Sequence, residues 1–239
     1  MPHTDPTHDD PYADLRIPPP EPPHRQSDRS KRQGPTLVTD GTAVRARLGW
    51  FTARGWPLFA LTGSKRPYAG CRKCPRAGHS FAACPHPPRF CHGHLAASLD
   101  VEHLTRLWRT RPDSVAGISL GAARLVVLDA DSAAHGRVTA APWAGTAGVR
   151  DGLDVLADVF ARHSQTFPPP DTLHVATPSG GAHIYYRLPT GVEVVSKPLV
   201  AGALVDVKSR GGYVVAPGSA TRSGVYQRTS DAAEPCEAP

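Results

Sequence analysis

Two aspartates close an apolar run, Arg124-Leu-Val-Val-Leu-Asp129-Ala-Asp131, and no other stretch of the chain points so directly at chemistry. Four apolar residues with two valines predict a buried β-strand. Side chains at i and i+2 leave a strand on one face, so both carboxylates point the same way at the strand's end. Like charges that close repel unless neutralised, and a divalent cation held by carboxylate oxygens does so best. Taken alone, Asp-x-Asp fits equally a strand that ends in a polar turn.

Two further clusters bear on the choice. Thr177-Pro-Ser-Gly-Gly-Ala-His183 places consecutive glycines between two predicted strands. Gly180 and Gly181 permit positive φ, and successive N–H groups in such a turn can form an anion nest. His183 opens the second strand, where its ring can donate to a phosphate oxygen. An ordinary Gly-Gly hairpin with a surface histidine is the competing reading. In Leu204-Val-Asp206-Val-Lys208, Asp206 and Lys208 share a strand face. A carboxylate there can complete a metal site, and a cation beside it can meet phosphate charge. A solvated edge strand with a surface ion pair fits as well. Gly211-Gly212 resembles a hairpin turn into the next strand.

The cysteines form a fourth cluster, Cys71-x2-Cys74-x9-Cys84-x6-Cys91. Four thiolates can supply a closed tetrahedral Zn²⁺ site, and His79, His86, His92 or His94 can replace one of them. A structural zinc would fix a loop-rich insertion, residues 70–94, that lacks a core of its own. Lys65, Arg66, Arg72, Lys73, Arg76 and Arg89 make its surroundings basic. Cys236 sits in a polar C-terminal stretch.

The elements that must position these groups read as follows. Residues 1–38 hold nine prolines amid scattered charges and predict a disordered tail. A helix runs from about 42 to 54, with Gly55 as its stop. Asp100 caps a helix over 101–110, and a third helix covers 153–162. Strands are expected over 56–61, 115–120, 125–128, 172–177, 183–188, 204–207 and 213–216. Residues 229–239 read as a second disordered tail, leaving a domain over 39–228. Without regular βαβ alternation the pattern is α+β, with a mostly antiparallel sheet.

Composition narrows the partners. The chain has 239 residues, a formal charge of +6 and a pI of about 9.3. That balance favours polyanions, nucleic acid above all. No apolar run approaches the ~18 residues of a membrane span, and no signal peptide is visible, so a cytoplasmic protein is expected.

Asp129-x-Asp131, Gly181-Ala-His183 and Val205-Asp206, in that order, resemble the three motifs of the archaeo-eukaryotic primase superfamily. The match is nearest its bifunctional primase-polymerase branch. Gly55-Trp-Pro-Leu-Phe-Ala-Leu, Cys84-Pro-His-Pro-Pro, Thr177-Pro-Ser-Gly-Gly and Gly211-Gly-Tyr-Val-Val-Ala-Pro resemble other recurring phrases of that branch, over about residues 49–227. The resemblance implies a core related to the RNA-recognition fold. It implies that Asp129, Asp131 and Asp206 hold two Mg²⁺ or Mn²⁺ ions, and that His183 contacts the phosphates of an incoming NTP or dNTP. To these we add Ser179, the Gly180 and Gly181 amides and Lys208 as phosphate binders. Many relatives carry glutamate where this chain has Asp131, a shorter but still hard oxygen ligand. No Gly-x4-Gly-Lys-Ser/Thr occurs, so a helicase partner would be a separate protein.

The leading expectation is therefore a template-dependent DNA primase/polymerase. The runner-up is a catalytically inactive nucleotide- or DNA-binding module with a zinc knuckle. A zinc-stabilised adaptor unrelated to nucleic acid stands third.

Overall fold

In the computed structural model, residues 41–68 and 93–239 are described. The expected tail over 1–38 and the cysteine set Cys71, Cys74, Cys84 and Cys91 lie outside the described residues.

The first helix, α1 (Gly41–Thr52), is followed by Gly55 at φ +71° and strand β1 (Leu58–Leu61). α2 (Val101–Thr110) starts where the sequence predicts. Asp100 accepts from the N–H groups of Glu102 and His103, both at 3.0 Å, satisfying donors that a helix start leaves unpaired. Leu104, Leu107 and Trp108 on its inner face are buried. β2 (Val115–Ser119) runs into the single-turn α3 (Leu120–Ala123). Arg124, left-handed at φ 53°, ends that turn and opens β3 (Leu125–Ala130). After α4 (Gly152–Arg162) come β4 (His174–Ala176), β5 (Ala182–Arg187), β6 (Lys197–Pro198), β7 (Val205–Lys208) and β8 (Tyr213–Val215). Short strands close the chain: β9 (Ala220–Thr221), β10 (Gly224–Val225), β11 (Gln227–Arg228) and β12 (Cys236–Glu237).

These strands form a small sheet, β1-β2-β8, a β9–β10 hairpin and a larger sheet, β11-β4-β5-β3-β7-β6, with β12 beside β5. Every pair is antiparallel except β12 with β5. The larger sheet is the middle layer. On one face Leu125, Val127, Val175 and Tyr185 join a core with α1, α2 and the small sheet. On the other Val126, Ala130, Ile184, Tyr186 and Val205 pack with α4 and the 138–143 loop. An α+β domain with antiparallel sheets is what the periodicities predict, and no described helix is long and apolar enough to cross a membrane.

Two expectations need correction. Gly211-Gly212 does not turn a hairpin, because β7 belongs to the larger sheet and β8 to the small one. The segment instead carries the chain between layers. Residues 229–239 are not a free tail. Cys236 and Glu237 lie opposite Tyr186 and Arg187, and the Ala238 N–H donates to the Arg187 carbonyl at 2.9 Å. β4 begins only opposite Ile184, so this segment takes up the rest of the edge of β5, where open backbone groups would otherwise need water.

Candidate active site

Along β3 the apolar core gives way to acids. Leu125 and Val127 are fully buried and face the first core; two residues on, the same face presents Asp129. Strand pairing supplies its neighbours. Asp129 lies directly opposite Asp206 of β7 and directly opposite His183 of β5. Asp206, Asp129 and His183 thus form one row across three adjacent strands. One step toward the core the row is Lys208, Val127 and Tyr185.

Asp131 follows β3 and is held by its backbone. Its N–H donates to the Leu204 carbonyl at 2.8 Å, and its carbonyl accepts from the Gly152 N–H at 2.9 Å. Leu204 takes a left-handed φ of 57°, rare for a bulky residue, to present that carbonyl just before β7. A Cβ on Gly152 would stand 2.1 Å from the Leu204 oxygen, so only glycine lets the start of α4 come this near.

Each carboxylate has its own basic partner. Asp129 Oδ1 is 3.3 Å from His183 Nε2, Asp131 Oδ1 is 3.2 Å from His135 Nδ1, and Asp206 Oδ2 accepts from Lys208 Nζ at 2.5 Å. Burial pushes the Asp129 carboxyl up, but the His183 hydrogen bond and the charges of His183, Lys208 and Lys65 outweigh it and hold it below the usual range. Asp131 goes the other way: partial burial and the charges of Asp129 and Asp206 raise it, against His135 and Lys208. Lys208 loses stabilisation of its charge to burial yet is raised overall, because Asp206 hydrogen-bonds it and all three acids attract it. Tyr226, beside the His183 ring at 5.4 Å, is pushed up to about 12 by burial and by Asp129 and Asp131.

The glycine turn is tightly bonded within itself. The Gly180 N–H donates to the Thr177 carbonyl at 3.0 Å, and the Gly181 N–H to Thr177 Oγ1 at 3.1 Å. Both amides expected to bind phosphate are therefore engaged inside the turn. The Ser179 hydroxyl shares a 3.1 Å hydrogen bond with Thr177 Oγ1, and Ser132 Oγ donates to the Ser179 carbonyl. That bond ties the turn to the segment after Asp131. A Cβ on Gly181 would lie 2.2 Å from the Ala130 carbonyl, so this glycine serves a close approach of β3. His183 is buried, its side chain 5% exposed, and its Nε2 is directed at Asp129. In this arrangement the ring serves the carboxylate, and a phosphate would have to displace it.

Sequence reasoning missed several neighbours. His135 stands on a single 3-10 turn, Ala133–His135, that has no periodic signature. Lys65 was assigned to the surroundings of the cysteines, yet its charge acts on Asp129, and its carbonyl accepts from the Tyr213 hydroxyl at 3.3 Å. Tyr226 follows a two-residue strand too short to read.

The donor set is chemically suited to Mg²⁺ or Mn²⁺: three hard carboxylates at one sheet end, repelling one another enough to raise Asp131. Among the described residues, no three such side chains are gathered as a formed metal site. No curated protein matches the chain. The family described as "Bifunctional DNA primase/polymerase, N-terminal" matches residues 49–239, which takes in both sheets, the acidic row and β12. By that match over most of its length, the chain belongs to the Prim-Pol family.

Proposed function

We propose that this domain is a template-dependent DNA primase/polymerase that adds nucleotides by a two-metal mechanism. Family membership implies a primase/polymerase-type nucleotidyltransferase. The observation that carries the finer reading is the register placing Asp206 opposite Asp129, with Asp131 just past the end of β3 and near enough for both charges to raise it. Asp129, Asp131 and Asp206 would hold two Mg²⁺ or Mn²⁺ ions, whose chemistry is to acidify the primer 3′-hydroxyl and to neutralise the triphosphate and departing pyrophosphate. His183 orients the Asp129 carboxylate. Lys208 and the Ser179 hydroxyl meet phosphate oxygens. Lys65, from the turn after β1, adds positive charge across from the row. The substrates are a DNA primer-template and NTPs or dNTPs, in replication of a chromosome, plasmid or phage element. The four cysteines would hold a structural Zn²⁺.

Primer extension with Mg²⁺ or Mn²⁺ tests this reading. Asp129→Ala and Asp206→Ala should each abolish incorporation while the far-ultraviolet circular dichroism stays that of the wild type. Full activity in either variant refutes the metal assignment.

One observation favours a second reading, a binding module without catalysis: Asp206 is occupied by Lys208. Such a module would bind labelled dNTP and primer-template but never extend. Both nucleic-acid readings require DNA affinity to fall steeply with salt, as counterion release dictates.

A further inference from the structure

The three acids are balanced one by one. His183 serves Asp129, His135 serves Asp131 and Lys208 serves Asp206. This answers how like charges can crowd a sheet end without a metal ion. The partners are not equivalent. Lys208 is the one lysine among them and carries a full charge throughout the physiological range. The lysine contact is also the shortest, 2.5 Å against 3.2 and 3.3 Å.

Place adds to charge. Lys208 lies two residues from Asp206 on the same strand face and opposite the fully buried Val127. Its side chain is 28% exposed, so the ammonium rises from the core side into the acidic row. There it occupies one carboxylate that a divalent cation would need. A divalent cation on Asp206 would meet the like charge of an ammonium held 2.5 Å from Oδ2, so the two compete by repulsion.

We infer that Lys208 is the resident counter-ion of the acidic row, and that it yields Asp206 to a divalent cation when the triphosphate of an incoming nucleotide offers the ammonium another partner. This rests on the metal-assisted reading above and adds to it a coupling between the two ligands. Metal binding without nucleotide must work against a lysine charge that all three acids attract. Metal binding with nucleotide need not. Linkage makes the effect mutual: each ligand strengthens the other through the same side chain.

Mn²⁺ binding to the full chain, followed by the loss of the free-ion paramagnetic resonance signal, tests the idea without any turnover. Titrations are run with and without a non-hydrolysable dNTP analogue, on wild type, Lys208→Met, Lys208→Arg and Asp129→Asn. Lys208→Met should bind Mn²⁺ alone on the order of tenfold more tightly than wild type. It should also lose most of the enhancement that the analogue gives the wild type. Lys208→Arg, which keeps the charge, should stay near wild type. Unchanged or weaker Mn²⁺ binding by a folded Lys208→Met overturns the inference and leaves the primase-polymerase reading standing. If Asp129→Asn binds Mn²⁺ as well as wild type in the presence of the analogue, the metal reading itself fails and the inference with it.

Discussion

His183 Nε2 stands 3.3 Å from Asp129 Oδ1, directly across from it in the β3–β5 register, and its imidazole is almost wholly enclosed. A carboxylate at the end of a core is thereby kept ionised by a neighbour that water scarcely reaches. The other two acids hold more exposed partners, so Asp129 is the fixed member of the set.

Asp129→Asn should lower the stability of the protein at neutral pH, measured by urea unfolding without added divalent cation. The folded carboxyl lies below its unfolded value of 3.8, so its contribution is fully present above that value and is lost as pH falls through the depressed one. Wild type and variant should differ by about 1 kcal/mol at pH 7, the net worth of an ordinary intramolecular hydrogen bond, and converge as pH falls below 4. A difference that persists unchanged to pH 2 contradicts the assignment.

Asp131→Asn should act in the opposite sense. Its folded carboxyl is raised, so the folded state favours the protonated form, and ionisation above the raised value costs stability. The variant should be slightly more stable than wild type at pH 7, and the gain should vanish as pH drops toward 3.8. The side chain is 47% exposed, so solvent limits the gain to a few tenths of a kcal/mol. Adding Mn²⁺ should reverse the order, stabilising wild type more than the variant.

Gly152→Ala should destabilise and should also disturb the acids. The new methyl would meet the Leu204 carbonyl at 2.1 Å and the Asp131 nitrogen at 3.0 Å, so the backbone around Asp131 has to move. Such overpacking costs about 1–3 kcal/mol, and the melting temperature should fall roughly 2–4 °C for each. Gly49→Ala is the control: it lies inside α1 with its nearest new neighbour at 4.0 Å, and alanine should hold or raise stability there.

Removal of residues 229–239 should destabilise the protein while leaving DNA affinity intact. The segment donates the Ala238 N–H to the Arg187 carbonyl and the Cys236 N–H to Thr172 Oγ1 at 3.0 Å, and its Pro235 carbonyl accepts from Arg187 Nε at 3.1 Å. With the Thr229 N–H to the His174 carbonyl, the His174 N–H to Ser230 Oγ and Arg54 to Glu234 lost as well, at least six hydrogen bonds go and the loss should reach about 3–6 kcal/mol. Hydrogen exchange should quicken at the end of β5 and not at Asp129. Unaltered stability on thermal unfolding would assign the segment no structural part.

What the sequence made legible follows from distance along the chain. Asp129 lies in β3 and Asp131 just beyond its end, so closeness in sequence alone keeps the two together. Asp100 and its helix need only local rules, and their boundaries agree with the structure. The pairing of Asp129 with Asp206 and His183 joins residues more than fifty positions apart. No periodicity encodes it; only the ordered resemblance pointed there. Gly211-Gly212 was misread because a hairpin and a crossing between layers use the same residues. β12 escaped because two residues carry no alternation, and its role is to complete an edge whose gap appears only once β4 and β5 are paired. Lys65 and His135 escaped because a turn and a single helical turn project side chains by tertiary placement.

The row across β7, β3 and β5 has one more consequence. Side chains alternate with a period of two, so a slip of either neighbour by a single residue would turn Asp206 or His183 toward α4 and out of reach. A mispaired molecule would therefore be inert rather than subtly altered. Selection on turnover alone would then police how these strands assemble, because the reactive groups exist together only in the correctly threaded sheet.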